Sequence, residues 1–142
     1  MIRKAESRDI ESLAILMGEL GYPTSPDEME KRMERINNQG NYLTLVCEKD
    51  KEIIGMIGMM HCFRYEKTDS YVRIVAYVVD GRFRGRGIGK ELLNEAEEWA
   101  HQNDAVMVTL NSGNRSERDL AHQFYINQGF EASATGFYKK LS

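Results

Sequence analysis

The first part of the chain places apolar and polar residues with the period of an α-helix. After a short candidate strand at Ile2 to Ala5, apolar side chains recur at intervals of three and four residues, which predicts an amphipathic helix. Ser7 can cap the start of this helix, and Gly21 can end it. The apolar positions are Ile10, Leu13, Ala14, Met17 and Leu20.

A second helix is predicted by three residues that suit a helix start. Ser25 is a capping residue, Pro26 suits the first helical position, and Glu28 lies three residues after the cap. The apolar residues that follow, Met29, Met33 and Ile36, share one face. Methionines at this spacing are typical of a core or of the soft wall of a pocket.

From Tyr42 onward the pattern changes to that of β-strands. Tyr42 to Glu48 and Ile53 to Arg64 are rich in β-branched and aromatic residues, and Lys49 to Lys51 between them suits a hairpin turn. A third strand is predicted at Tyr71 to Val79. These three strands should form an antiparallel meander.

A helix and a further strand follow the meander. The helix should bury Ile88, Leu92, Leu93, Ala96 and Trp99, and the strand should run from Ala105 to Leu110. Because a strand, a crossover helix and a second strand form one unit, this strand is expected to lie parallel to the third strand of the meander.

The last part of the chain predicts one more helix and two short strands. Asn114 and Glu117 can cap a helix that runs to about Gln128 and is closed by Gly129, with Leu120, Ala121 and Phe124 facing inward. The strands are predicted near Phe130 to Glu131 and at Thr135 to Leu141. The whole pattern predicts a single domain over residues 1–142, an α/β (α+β) fold with one mixed sheet and helices on both faces.

Composition narrows the classes of partner. The 142-residue chain is 42% hydrophobic and 29% charged, with a net charge of −3. An acidic chain lacks the broad positive field of a nucleic-acid or membrane-surface binder, so we expect neither partner. Cys47 and Cys62 lie in apolar runs and are expected to be buried thiols, and no signal peptide or membrane span is visible. The expected location is therefore the cytoplasm.

The loop from Val78 to Lys90, V-V-D-G-R-F-R-G-R-G-I-G-K, carries the clearest chemistry. Four glycines and four cationic side chains stand between an apolar strand and an amphipathic helix. Glycines let backbone N–H groups converge on an anion, and the helix start adds further N–H groups. An exposed basic turn is the alternative. A nucleotide site of the Walker type is disfavoured, because no Lys-Ser or Lys-Thr follows the glycines.

Two motifs resemble those of the GCN5-related N-acetyltransferase (GNAT) superfamily. Arg84, Gly87 and Gly89 match its signature of Arg or Gln, two residues, Gly, one residue, then Gly or Ala. About 35 residues later, the segment Ala121 to Phe130, A-H-Q-F-Y-I-N-Q-G-F, resembles the superfamily's C-terminal helix motif. The resemblance implies a mixed, mostly antiparallel sheet of about six to seven strands, with a bulged third meander strand that splays from its parallel neighbour to bind the cofactor.

The resemblance also implies acetyl-CoA as the cofactor and acetyl donor. Its pyrophosphate would lie on the loop, and its pantetheine arm would pair with Val78 and Val79, one of which would offer a backbone N–H to the thioester carbonyl. The implied loop residues are Arg84, Gly85, Arg86, Gly87, Ile88, Gly89 and Lys90.

Tyr125 resembles the superfamily's general acid, whose hydroxyl faces the CoA sulfur; the alternative is that it packs the helix on the sheet. Many members carry a glutamate base on the third meander strand, but the matching position here is Ala76. Other candidate bases are His61, Glu66, Asp69 and Tyr77, or the amine loses its proton to water.

Arg118 stands where many relatives have an asparagine that contacts the cofactor. An arginine there could bind a CoA phosphate bidentately, or it could be a solvated helix residue. Together with His122, it makes the motif similar to that of aminoalkylphosphonate N-acetyltransferases and of bacterial members without an assigned acceptor.

The sequence therefore predicts an acetyl-CoA-dependent N-acetyltransferase in which the primary amine of a small molecule attacks the thioester directly. The alternatives are a non-catalytic acyl-CoA-binding or regulatory domain and an enzyme that acts on a protein or peptide amine. The acceptor pocket is expected from Tyr22 to Met33 and from His61 to Tyr71, and homodimer formation is left open.

Overall fold

A computed structural model describes residues 1–112 and 119–141 of the chain, with only the backbone of Asp119. Asn114, Glu117 and Arg118 lie outside the described residues. In chain order the elements are β1 (Ile2–Lys4), α1 (Ile10–Leu20), α2 (Pro26–Asn37), β2 (Tyr42–Lys49), β3 (Glu52–Phe63), β4 (Ser70–Val79), α3 (Ile88–Gln102), β5 (Val108–Leu110) and α4 (Asp119–Asn127).

The strands form one mixed sheet in the order β1-β2-β3-β4-β5. Each neighbouring pair from β1 to β4 is antiparallel, and β4 pairs with β5 in parallel. The α/β fold, the antiparallel meander and the parallel crossover strand are thus confirmed. The crossover from β4 through α3 to β5 brings the carboxyl end of β5 beside the middle of β4.

Two hydrophobic layers cover the two faces of the sheet. On one face, α3 buries Leu92 and Leu93 against Ile57, Val72 and Ile74. On the other face, α1 and α2 bury residues against the alternate strand positions; this second layer contains Leu13, Leu16, Met29, Met33, Val46, Met56 and Val78. The helices therefore lie on both faces, and the methionines of α2 belong to the core.

The ends of the first two helices follow local signals at all but one point. The Ser25 hydroxyl accepts a hydrogen bond from the Glu28 backbone N–H at 3.1 Å, and Gly21 ends α1 with a positive φ of 109°. The predicted cap at Ser7 is wrong. Ser7 begins a short 3₁₀ turn, and the carboxylate of Asp9 accepts the Glu6 backbone N–H at 2.7 Å instead.

The C-terminal segment differs from the sequence expectation. Residues 130–141 form no strand, so the described part of the chain has five strands rather than six to seven. Residues 131–141 are exposed and lie outside the ladder of the sheet, and without a pairing partner their alternating pattern produces no strand. Leu120 is 87% exposed rather than inward, because the half-buried face of α4 is centred on Ala121, Phe124 and Tyr125.

Among the described residues, no helix is both long and apolar enough to cross a membrane.

Candidate functional site

The candidate site lies where β4 separates from β5. The two strands pair only from Val72 to Ile74, opposite Val108 to Leu110, while β4 continues to Val79. The separation begins at a bulge. The partner of Met59 is Ile74 and the partner of Gly58 is Ala76, so Val75 is an extra residue in β4.

The backbone beyond the bulge offers hydrogen-bonding groups to the gap. The Asp80 N–H donates to Ile54 O at 2.8 Å, so Asp80, and with it Val78, face β3. In an antiparallel pair the alternate residues face the other way, which directs the N–H groups of Tyr77 and Val79 into the gap. Of the two valines predicted to pair with a ligand, Val79 therefore has its free backbone edge toward the gap.

A cavity of about 150 Å³ lies at this gap. Tyr77, Ser112 and Tyr125 line it, and the ring centroids of the two tyrosines are 6.3 Å apart. The remaining lining residues are Leu20, Tyr22, Ile74, Val75, Ala76, Leu110 and Asn111. Within this described lining there is neither a carboxylate nor an imidazole.

Tyr77 lines the cavity and is hydrogen-bonded to the first turn of α3. Its hydroxyl donates a hydrogen bond to the backbone carbonyl of Gly89. Burial raises the pKa of Tyr77 above its ordinary value, and the neighbouring Tyr125 raises it further. The phenol is therefore protonated at neutral pH and acts as a structural donor, which is the opposite of what a base requires.

The loop after β4 suits an anionic group through its backbone. Gly85 and Gly87 have positive φ values of 79° and 83°, and Gly87 is the N-cap of α3. The Glu91 N–H is the first to donate within the helix, to Gly87 O at 3.0 Å. Helix geometry thus leaves the N–H groups of Ile88, Gly89 and Lys90 without an intrahelical acceptor, at the positive end of the helix dipole.

The four cations of this loop divide into two pairs. Arg82 binds the carboxylates of Asp80 and Glu52. Arg84 Nη2 lies 3.6 Å from Glu19 Oε2, and Arg84 Nε donates to Val79 O at 3.3 Å.

Arg86 and Lys90 form the second pair. Both are exposed, and no carboxylate of the described residues lies within ion-pair distance of either. The Arg86 guanidinium lies 5.3 Å from the centroid of the Phe83 ring. These two side chains are therefore the cations that a ligand at the helix start can recruit without breaking an ion pair.

Close packing also requires a glycine at position 89. A Cβ atom on Gly89 would lie 3.0 Å from the Tyr77 hydroxyl and 3.7 Å from both Phe124 and Val79 side-chain atoms. The helix start thus packs directly on the aromatic cluster that lines the cavity.

The other candidate bases lie away from this cavity. His61 Nε2 is 2.8 Å from Ser70 Oγ, and its ring contacts Trp99 at 6.5 Å between centroids. The Arg64 guanidinium, hydrogen-bonded to Asp69, holds the pKa of that carboxyl below its usual value. Glu66 lines a second cavity.

Sequence reasoning missed Asn111 and Ser112, which directly follow β5 and line the gap. Ser112 Oγ lies 3.1 Å from His122 Nε2, which ties the end of β5 to α4. Their position just beyond the carboxyl end of a parallel strand is the signal that could have found them.

Residues 10–130 match the sequence model of the Acetyltransferase (GNAT) family. The chain is 31% identical to the aminoalkylphosphonate N-acetyltransferase of Salmonella typhimurium, over 99% of this chain and 90% of that protein. It is also similar to the crystal structure of a GNAT family acetyltransferase from Staphylococcus aureus, with a TM-score of 0.84, 35% identity and coverage of 99% and 98% of the two chains.

A third comparison shows likeness of fold alone. An aminoglycoside 6′-N-acetyltransferase from Acinetobacter haemolyticus superposes with a TM-score of 0.83 at 20% identity, covering 100% of this chain and 99% of that one.

Proposed function

Because the chain belongs to the GNAT acetyltransferase family, we propose that it is an acetyl-CoA-dependent N-acetyltransferase that acts on the primary amine of a small molecule. One observation carries the proposal. A tyrosine-lined cavity, a free strand edge and an anion-compatible helix start lie side by side along the second half of β4.

The residues present fit acetyl-CoA as the donor. The N–H groups at the start of α3 and the exposed Arg86 and Lys90 suit a pyrophosphate, and the gap-facing edge of Val79 suits an extended amide-bearing arm. The proposed loop contacts are Arg84, Gly85, Arg86, Gly87, Ile88, Gly89 and Lys90. Arg84 would have to leave Glu19 and Val79 O to take part. The role of Arg118 stays a prediction.

Bound acetyl-CoA supplies an acyl group activated as a thioester. We assign the Val79 N–H to stabilising negative charge on the carbonyl oxygen, because it faces the gap and the antiparallel ladder does not use it. We assign Tyr125 to donate its hydroxyl proton toward the departing sulfur. With no carboxylate in the described lining, the amine reaches the cavity neutral by losing its proton to water.

The acceptor class rests on the comparisons and on the size of the site. The Salmonella relative is named for a small aminoalkylphosphonate. A cavity of about 150 Å³ admits an amine group and a short carbon chain. The described structure holds both cysteines as free thiols, which suits the reducing cytoplasm that we propose as the location.

The test is release of free CoA thiol from acetyl-CoA in the presence of single amines. The panel contains polyamines, aminoglycosides, aminophosphonates, amino acids and peptides with free N-termini. Amine-dependent thiol release with a mass increase of one acetyl group on a small molecule supports the proposal. Acetylation of peptides alone, or no transfer to any amine, contradicts it.

One observation favours a second candidate, a non-catalytic acyl-CoA-binding domain: Ala76 occupies the position where a carboxylate base is common in the family. This candidate predicts tight acetyl-CoA binding in calorimetry without thiol release by any amine. The two measurements together separate the candidates.

A further inference from the structure

A second cavity, of about 480 Å³, opens on the sheet face opposite α3, beside the first one. Asn111 lines both cavities. The other lining residues of the second cavity are Phe63, Arg64, Tyr65, Glu66, Tyr71, Arg73, Met107 and Thr109. The two cavities therefore adjoin at Asn111, next to the separation of β4 and β5.

Strand register sets a row of polar groups along this surface. Arg73 and Thr109 are direct partners in the parallel β4–β5 pair. Val72 and Ile74 point into the α3 layer, so Arg73 points to the opposite face, and Thr109 lies on that face with it. Asn111, two residues beyond Thr109, continues the row toward the first cavity.

Arg73 is the cation of this surface that is free to bind a ligand. The Arg64 guanidinium is already bound by both oxygens of Asp69, at 2.5 and 2.8 Å. No carboxylate of the described residues lies within ion-pair distance of Arg73. Glu66 contributes the one negative charge of the described lining, and it is exposed on the same connection as Tyr65.

We propose that Arg73, with Thr109 and Asn111, forms a subsite for an oxyanion on the acceptor, so that the preferred acceptors are short primary amines that carry an acidic group. An arginine fork binds phosphonate, sulfonate or carboxylate oxygens bidentately, and a hydroxyl and an amide add donors to the same anion. The inference rests on the proposed function and names its acceptor class.

The distances suit a short acceptor. Because Val75 is an extra residue, Arg73 and Ala76 lie opposite Met60 and Gly58, which are two positions apart in β3, or roughly 7 Å at 3.3 Å per residue. The arginine side chain covers part of that length when it turns toward the cavity. An amine and an acid group joined by about three carbons then span the remainder, and the tyrosines of the surface cover the carbon chain.

The experiment compares three acceptors with the same three-carbon skeleton: 3-aminopropylphosphonate, 3-amino-1-propanol and 1,3-diaminopropane. We expect kcat/KM for the phosphonate to exceed the other two by at least tenfold. The Arg73→Gln variant should reduce the ratio of phosphonate to propanol at least tenfold, and Arg73→Lys should restore part of it. The matched control Arg35→Gln removes another exposed positive charge, from α2, and should keep the wild-type ratio.

A binding measurement makes the subsite independent of turnover. Calorimetric titration with 3-aminopropylphosphonate, with and without CoA, should show affinity in the wild type that falls at least tenfold in Arg73→Gln. If no amine releases thiol, the proposed function fails while this titration still reports on the subsite.

Three results would each overturn the subsite. They are equal or better use of the neutral or cationic acceptor, absence of phosphonate binding, and an unchanged ratio in Arg73→Gln. Acceptance of 4-aminobutyrate at a similar rate would assign the subsite to oxyanions in general, and its rejection would restrict it to phosphonates; both results support it.

Discussion

The Tyr77 hydroxyl donates to the backbone carbonyl of Gly89, and this bond joins the free half of β4 to the first turn of α3. The same phenol ring contacts Phe124 and Tyr125, at 6.5 and 6.3 Å between centroids. One residue therefore positions both the helix start proposed to hold a pyrophosphate and the tyrosine proposed to supply a proton. The donor and acid halves of the site are connected through a single half-buried side chain.

Replacing Gly89 with alanine should destabilise the protein by roughly 1 kcal/mol, even though alanine is the better helix former. The new Cβ atom would lie 3.0 Å from the Tyr77 hydroxyl, which cannot retreat without losing its hydrogen bond to Gly89 O. Urea unfolding measures the change. Gly18→Ala in α1 is the control, because its Cβ meets nothing within 4 Å and should stabilise the helix.

The same contact can be tested by a double mutant. Tyr77→Phe removes the oxygen that the Gly89→Ala methyl group would meet, so the two changes should be less destabilising together than the sum of their single effects. Strict additivity in urea unfolding would show that the contact between the hydroxyl and residue 89 is not what requires glycine.

Tyr125→Phe should slow acetyl transfer about 10²-fold with little change in acetyl-CoA affinity, as expected when a general acid is removed and packing is kept. Steady-state kinetics and calorimetry measure the two quantities. Tyr138→Phe, on an exposed tyrosine of the C-terminal segment, is the matched control. Wild-type turnover in Tyr125→Phe would assign the residue to packing alone.

Arg86→Glu should weaken acetyl-CoA binding by an order of magnitude or more, because a phosphate contact becomes a repulsion at the start of α3. The loss should shrink at high ionic strength, where screening weakens both interactions. Lys140→Glu makes the same charge reversal at an exposed position outside the loop and should leave the affinity near that of the wild type. An affinity unchanged in Arg86→Glu would remove Arg86 from the proposed clamp.

Asp9→Asn should destabilise the fold by about 3 kcal/mol, as when one partner of a buried ion pair is removed. The buried Asp9 accepts from Arg3 at 2.8 and 3.0 Å, and the Arg3 guanidinium holds the pKa of this carboxyl below its ordinary value of 3.8.

The pH dependence of that effect has a definite sign. A depressed carboxyl pKa stabilises the folded state fully above the unfolded value, and the contribution is lost as the pH falls through the folded value. Urea unfolding between pH 2 and 6 should therefore show a steeper loss of stability below about pH 4 in the wild type than in Asp9→Asn. Parallel curves for the two proteins would contradict the assignment.

The parts of the fold that follow from local chemistry were predictable from the sequence. The Ser25 cap, the glycine end of α1 and the buried face of α3 each depend on neighbours within a few residues. The cap predicted at Ser7 is wrong because Ser7 lies inside the short 3₁₀ turn that precedes α1, and the Asp9 carboxylate, paired with Arg3 on the first strand, accepts the Glu6 N–H there. The predicted C-terminal strands are not formed, because a strand needs a pairing partner and no local sequence pattern specifies one.

The candidate site divides in the same way. The glycine loop and Tyr125 carry motifs, so the sequence could name them. Arg73, Thr109 and Asn111 carry none, since a single exposed arginine or threonine in a strand is common; only the register of β4 on β5 brings them together. The second role of Gly89 likewise required the position of Tyr77, twelve residues earlier in the chain.

The extra residue at Val75 divides β4 into a part that pairs with β5 and a part whose outer edge is free. Before Val75, the backbone groups on the outer edge of β4 pair with β5. After Val75, the backbone groups on that edge are available to a ligand. The position of this extra residue sets the length of strand whose free edge can bind a ligand, from Ile74 to Val79, which lie opposite Met59 and Gly55 and are therefore roughly 13 Å apart. Shifting the bulge by two residues would lengthen or shorten the free edge of β4 without changing the side chains proposed to take part in catalysis. The length of ligand that the strand can bind can therefore change separately from the chemistry of the site.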